Sequence, residues 1–132
     1  MERDVKMKRW QGFEHGVGIG GWLTNYKRFN LTPRERWEEL TLGDFEHFSS
    51  YITENDVKYI ASLGADHIRL GFDQIVLETP SGEYREETLC HIDNFISWCE
   101  KYNLNIVLNL HKAIGNYCDV AEDETLLSSP VL

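Results

Sequence analysis

A run of about 20 consecutive apolar residues, the minimum for a helix that crosses a membrane, occurs nowhere in this chain. The first ten residues lean basic, with Arg3, Lys6, Lys8 and Arg9 against Glu2 and Asp4, yet the apolar segment that a secretory leader needs does not follow them. A cytoplasmic location is therefore the expectation. Positive charge is scarce: 13 Lys and Arg stand against 22 Asp and Glu, for a formal net charge of −9. Such a balance repels a nucleic-acid backbone and an anionic membrane surface alike, and favours neutral or cationic partners. Cysteine is scarce too. Three residues, an odd number without a secretion signal, argue for reduced thiols. Cys90 and Cys99 fall on one expected helix, about 13 Å apart along its axis, too far to bridge, and read as small buried apolar groups. Nothing places a base beside Cys118, which leaves it a poor nucleophile. Metal-ligand spacing such as H-E-x-x-H is missing, so neither a metal site nor a cofactor is implied. No repeat, low-complexity tract or linker breaks the chain, and its 132 residues, 42% of them hydrophobic, suffice for one domain or part of a larger one.

What the sequence does contain is an alternation of strand-forming and helix-forming segments. Val17 to Leu23 is an apolar, glycine-rich run suited to a first strand. Thr53 starts a helix: it can cap, Asp56 completes a capping box, Ile52 and Val57 can form the staple, and Gly64 ends the run. Val57, Ile60 and Ala61 supply its buried stripe. His67 to Asp73 is the second strand. A turn around Pro80, Ser81 and Gly82 leads into a second helix, where Leu89, Ile92, Phe95, Ile96, Cys99 and Tyr102 recur at helical spacing. Asn105 to His111 is the third strand. Crossovers this long require parallel pairing, with helices covering the sheet. The connection after the first strand runs to about 30 residues, far beyond the usual two to six. It is expected to carry a short helix of its own, with Thr32 as cap, Pro33 at the first position, Glu35 as box partner, and Trp37 and Leu40 tucked against the body.

In parallel α/β proteins the chemistry sits at the carboxyl ends of the strands. Alternation along the third strand puts Asn105, Val107, Asn109 and His111 on one face, and Ile106, Leu108 and Leu110 on the other, where helices should cover them. By the same parity Arg69 and Asp73 emerge from the second strand on the face of His111. The result is a pocket floor with a cation, an imidazole and a carboxylate. A salt-bridge network of His67, Arg69 and Asp73 that merely satisfies an interior is the competing reading. Gly16, Gly18 and Gly21 also satisfy G-x-G-x-x-G. That fingerprint must follow a strand and open a helix, whereas here it is itself the expected strand, so dinucleotide binding is not supported.

The runs GVGIGGWL (16 to 23), YITENDVKYIASLGADHIRLGFD (51 to 73) and HIDNFISWCEKYNLNIVLNLHKAIG (91 to 115) together resemble the amino-terminal third of family 5 glycoside hydrolases, most closely cellulase-like endoglucanases. The likeness extends from about Gly12 to Gly115, and the whole chain, 1 to 132, reads as an amino-terminal part of such a domain. The resemblance implies a partial (β/α)8 TIM barrel, roughly its first three parallel strands with covering helices, and retaining hydrolysis of β-linked polysaccharide. It assigns Arg69 and His111 to the subsite around the scissile bond; Asp73 joins them as a substrate-binding candidate by strand parity alone and matches no catalytic position of the family. Trp22 has two readings, as a residue stacking on sugar or as an aromatic of the barrel core. Four positions depart from the family pattern. Gly18 stands for an asparagine, Gly71 for a proline, Asn109 for an aspartate and Ile114 for a proline. The change at 109 removes a negative charge beside His111 and leaves the orientation and protonation of that ring open.

Retaining glycosidases need two carboxylates about 5 to 5.5 Å apart. In this family both are glutamates after the fourth and seventh strands, outside the stretch matched here, and the chain has no Asn-Glu dipeptide. It therefore carries substrate-binding residues but no catalytic pair, and by itself is expected to be inactive. The alternative is a noncatalytic carbohydrate-binding subunit, or one that completes a barrel with another chain. Three parallel strands cannot close, so self-association or marginal stability is expected of the isolated chain.

Overall fold

A computed structural model describes residues 11–31, 35 and 39–113. The elements are β1 (Gly16–Leu23), a 3-10 turn (Tyr26–Arg28), α1 (Leu42–Ser50), α2 (Glu54–Ser62), β2 (His67–Asp73), α3 (Gln74–Leu77), α4 (Glu86–Lys101) and β3 (Asn105–Lys112). The strands form one parallel sheet in the order β1-β2-β3. Helices fill the crossovers, which makes the fold α/β and compatible with the opening part of a barrel.

Local chemistry explains most boundaries. Asp56 accepts hydrogen bonds from the Thr53 amide at 2.8 Å and hydroxyl at 3.0 Å, holding the first turn of α2. Gly64, at φ +88°, provides the left-handed exit. The long connection after β1 carries the helix α1, capped by Thr41; the short helix expected from Thr32, with Pro33 and Trp37, lies outside the described residues. Asp44 accepts from the Thr41 amide at 2.8 Å, from Arg28 Nη1 at 2.8 Å and from Asn25 Nδ2 at 2.9 Å. Burial alone would raise the Asp44 pKa, yet the Thr41 hydrogen bond and the Arg28 charge overcome it and lower the pKa. One carboxylate thus caps α1 and ties the loop to it.

The core lies between the sheet and the helices. Leu23, Val57, Ile68, Leu70, Val76, Phe95 and Cys99 are withdrawn from water completely, and Trp22 and Phe48 almost so. Cys99 behaves as expected, with burial pushing its thiol up to about 11. Cys90 does not: it is exposed, its thiol donating to the Glu87 carbonyl at 3.3 Å. Cys90 lies on the exposed face of α4, while Thr88 and Leu89 of the same turn face the core. The outer face of β3 also departs from expectation. Ile106 packs on the core, but Leu108 and Leu110 are 49% and 50% exposed, because no helix follows β3 among the described residues to cover them.

Truncating Phe95 to Ala is expected to cost about 3 to 5 kcal/mol, read from urea denaturation. The His91 ring, beside Trp22 and Phe48, is drawn below its ordinary pKa by burial. Its folded pKa is depressed, so the unfolded chain takes up the proton first, and stability is lost as the pH falls below about 6.5. The melting temperature should therefore drop between about pH 7.5 and pH 5.5, and drop less in His91→Gln.

Candidate functional site

The register settles which side chains share the face opposite the helices. Arg69 of β2 lies between Gly18 of β1 and Val107 of β3, and Gly71 lies beside Asn109. On β1 this face has almost no side chain, since the Cβ positions of Gly18 and Gly20 have nothing within 4 Å. The open surface is therefore floored by glycine and walled by Arg69, Asn109 and His111. Arg69 is exposed, His111 half-buried and Asp73 buried.

Near the carboxyl end β3 bulges. Phe72 and Asp73 are adjacent on β2, but their partners are Leu110 and Lys112, so His111 is the extra residue. A bulge re-aims side chains at a strand end. Here it brings Lys112 level with Asp73, where simple alternation would have turned it to the helix side. Lys112 is 2% exposed, with its ammonium 4.6 Å from the centre of the Phe29 ring. The loop after β1 therefore reaches across the strand ends as far as β3. Thr24 is buried there too, and a Cβ on Gly71 would meet Thr24 Cγ2 at 3.6 Å and His111 Cβ at 3.7 Å. That is ordinary contact, so the glycine at 71 is compatible with a side chain and not forced by sterics.

Burial lowers the His111 pKa, and the positive charges of Lys112 and Arg69 lower it further. Both effects favour the neutral ring. Its Nδ1 lies 3.3 Å from Asn109 Nδ2. A neutral imidazole, a guanidinium and an amide on an open polar face can donate hydrogen bonds to an uncharged, oxygen-rich ligand. Among the described residues no group of three His, Cys, Asp or Glu is placed to hold a metal ion.

Arg69 and His111, expected together, are close enough for the charge of one to act on the other. His67 is not with them. It bonds Asp66 at 2.7 Å at the amino end of β2, where Asp66 also accepts from the Glu14 and His15 amides. The His67 hydrogen bond leads in pulling the Asp66 pKa down to about 2. Histidine, arginine and aspartate therefore do not form a single interior network through β2.

Trp22 must be corrected as a cleft residue. Between the pairs Ile19 with Leu70 and Leu23 with Phe72, β1 spends four steps against two of β2, and Gly21 takes φ +74° there. This irregularity sends the indole to the helix side. It is 1% exposed, donates from Nε1 to the Phe48 carbonyl at 2.9 Å, and packs edge-on to Phe95. The G-x-G-x-x-G glycines all lie within β1, as the strand reading required. Lys112 and Asn109 were not singled out in advance as site residues. Strand alternation already placed Asn109 beside His111, whereas nothing in the sequence marks the bulge that turns Lys112.

A parallel sheet with helices on one side and a polar floor at its strand ends defines an α/β enzyme-type scaffold. The chain is similar to the amino-terminal portion of cellulase-like glycoside hydrolases. It is 38% identical over 120 residues to endoglucanase C of Acetivibrio thermocellus, covering 89% of this chain and 31% of the relative. It is 31% identical over 121 residues to cellodextrinase A of Ruminococcus flavefaciens, covering 90% of this chain and 31% of that one. With probable glucan 1,3-beta-glucosidase A of Aspergillus fumigatus it shares 30% over 124 residues, covering 81% and 30%. The chain thus spans less than a third of the length of these relatives. No family model matches it.

Trp22→Phe leaves the Phe48 carbonyl without its donor, at an expected cost of about 1 to 3 kcal/mol in thermal or urea unfolding. The titration of His111 should stay where it was, which separates a core role from a cleft role.

Proposed function

We propose that this chain is the amino-terminal part of a family 5 type glycoside hydrolase, endoglucanase-like, that cleaves β-linked polysaccharide with retention. Its similarity to endoglucanase C, extending through the strands that bear Arg69 and His111, carries the reading. Arg69 and His111 line the sugar subsite at the scissile bond, and Asp73 supports them from the strand end. A closed barrel typically takes about 250 residues, so further strands complete the site. The two catalytic glutamates belong to those strands, and the present chain is inactive alone. Reducing-end release from soluble β-glucan by the purified chain should stay at background. Release that disappears in His111→Ala would overturn this, and would assign the chemistry to carboxylates already present, Asp73 first.

A second reading is favoured by the half-exposed Leu108 and Leu110 on the outermost described strand. The chain is then a noncatalytic subunit that binds carbohydrate, or that completes a barrel with another chain or with its own copies. Calorimetry with cellopentaose tests the sugar contact common to both readings. Saturable heat that is lost in Arg69→Ala is the expected result; no heat from either protein removes sugar binding from this chain.

A further inference from the structure

We propose that Asn109 is the positioning residue of His111: its side-chain amide donates to Nδ1, so the ring meets a ligand through a fixed Nε2–H donor. The inference uses the reading of the open floor as a sugar site only for what the donor is for, not for its existence. The two residues stand two apart on the same face of β3, with Nδ2 and Nδ1 3.3 Å apart. Their neighbour across the sheet is Gly71, which has no side chain to compete for either group. A Cβ there would already touch both, at 3.7 Å from His111 Cβ and 3.9 Å from Asn109 Nδ2. The bulge at His111 fixes the backbone on the other side.

The surrounding groups agree with a neutral ring held in this way. Arg69 from β2 and Lys112 from β3 act on the imidazole as positive charges, Asp73 enters from the end of β2 level with Lys112, and Thr24 from the loop after β1 packs on the same glycine. An amide at 109 adds no charge to this set. If it donates to Nδ1, that nitrogen must be the lone-pair nitrogen and the single ring proton must be on Nε2. A carboxylate at the same place would demand the reverse: Nδ1–H, a stabilised imidazolium, and Nε2 free to accept whenever the ring is neutral. One atom at position 109 therefore decides whether His111 offers a ligand a hydrogen or a lone pair. With the amide it offers a hydrogen, which suits an acceptor oxygen of a neutral polyhydroxyl ligand such as a glucan, and it cannot serve as a base.

Long-range proton–nitrogen correlation spectra of the histidine rings, recorded on the uniformly 15N-labelled full chain from about pH 5.5 to 8 and assigned with His111→Ala, test this. The expected result is the Nε2–H form in the wild type. In Asn109→Asp the titration midpoint moves upward and the proton moves to Nδ1; in Asn109→Leu the single form gives way to a mixture. Nδ1–H in the wild type, or an Asn109→Leu spectrum identical to it, overturns the proposal. Should either variant fail to fold, the wild-type tautomer alone still decides. If the tautomer is as expected but cellopentaose gives no heat, the role of Asn109 stands and the sugar reading falls.

Discussion

β2 is hydrogen-bonded along both flanks and faces the helices with Ile68 and Leu70, both fully withdrawn from water. Because side chains alternate across a strand, burying that pair fixes the opposite parity for Arg69, Gly71 and Asp73. A slip of one residue would turn an arginine and an aspartate into the core, at a cost no local contact could offset. The position of the polar floor is thus a consequence of the apolar packing beneath it. β1 and β3 take their registers from β2, and the loops that rim the strand ends take their starting points from all three.

The long segments were legible for this reason. Val57 and Phe95, at helical spacing, are core residues, and β2 has the bounds its pattern implied. Where reading failed, the signal was inverted or local. The buried face of α1 is Asp44, His47 and Phe48 while Leu42 is 75% exposed, so hydrophobic periodicity hides that helix; the Thr41 and Asp44 capping pair was the available clue. The sequence leaves Trp22 between two readings and passes over Lys112 because an irregularity in β1 and a bulge in β3 break alternation within one or two residues. Such irregularities depend on backbone geometry that composition does not encode.

Charge at the site runs against charge in the chain. A protein with a net charge of −9 gathers Arg69 and Lys112 around one imidazole at its strand ends. Buried Lys112, lying against Phe29, links the first loop to the last described strand. The charge that acts on His111 and the contact that ties the loop to the sheet therefore come from one residue. The neutral amide of Asn109 fits this local excess of positive charge without neutralising it.

The two described cysteines sit on one helix, nine positions apart, and differ in almost everything else. Cys90 is in contact with solvent, whereas Cys99 is sealed under the sheet with its thiol raised to about 11. A thiol reagent sees the first at once and the second only when α4 lifts away from β2 and β3. The ratio of the two alkylation rates is consequently a clock for the breathing of that helix, with its own internal standard, and it registers whether adding further strands or a second chain slows the motion.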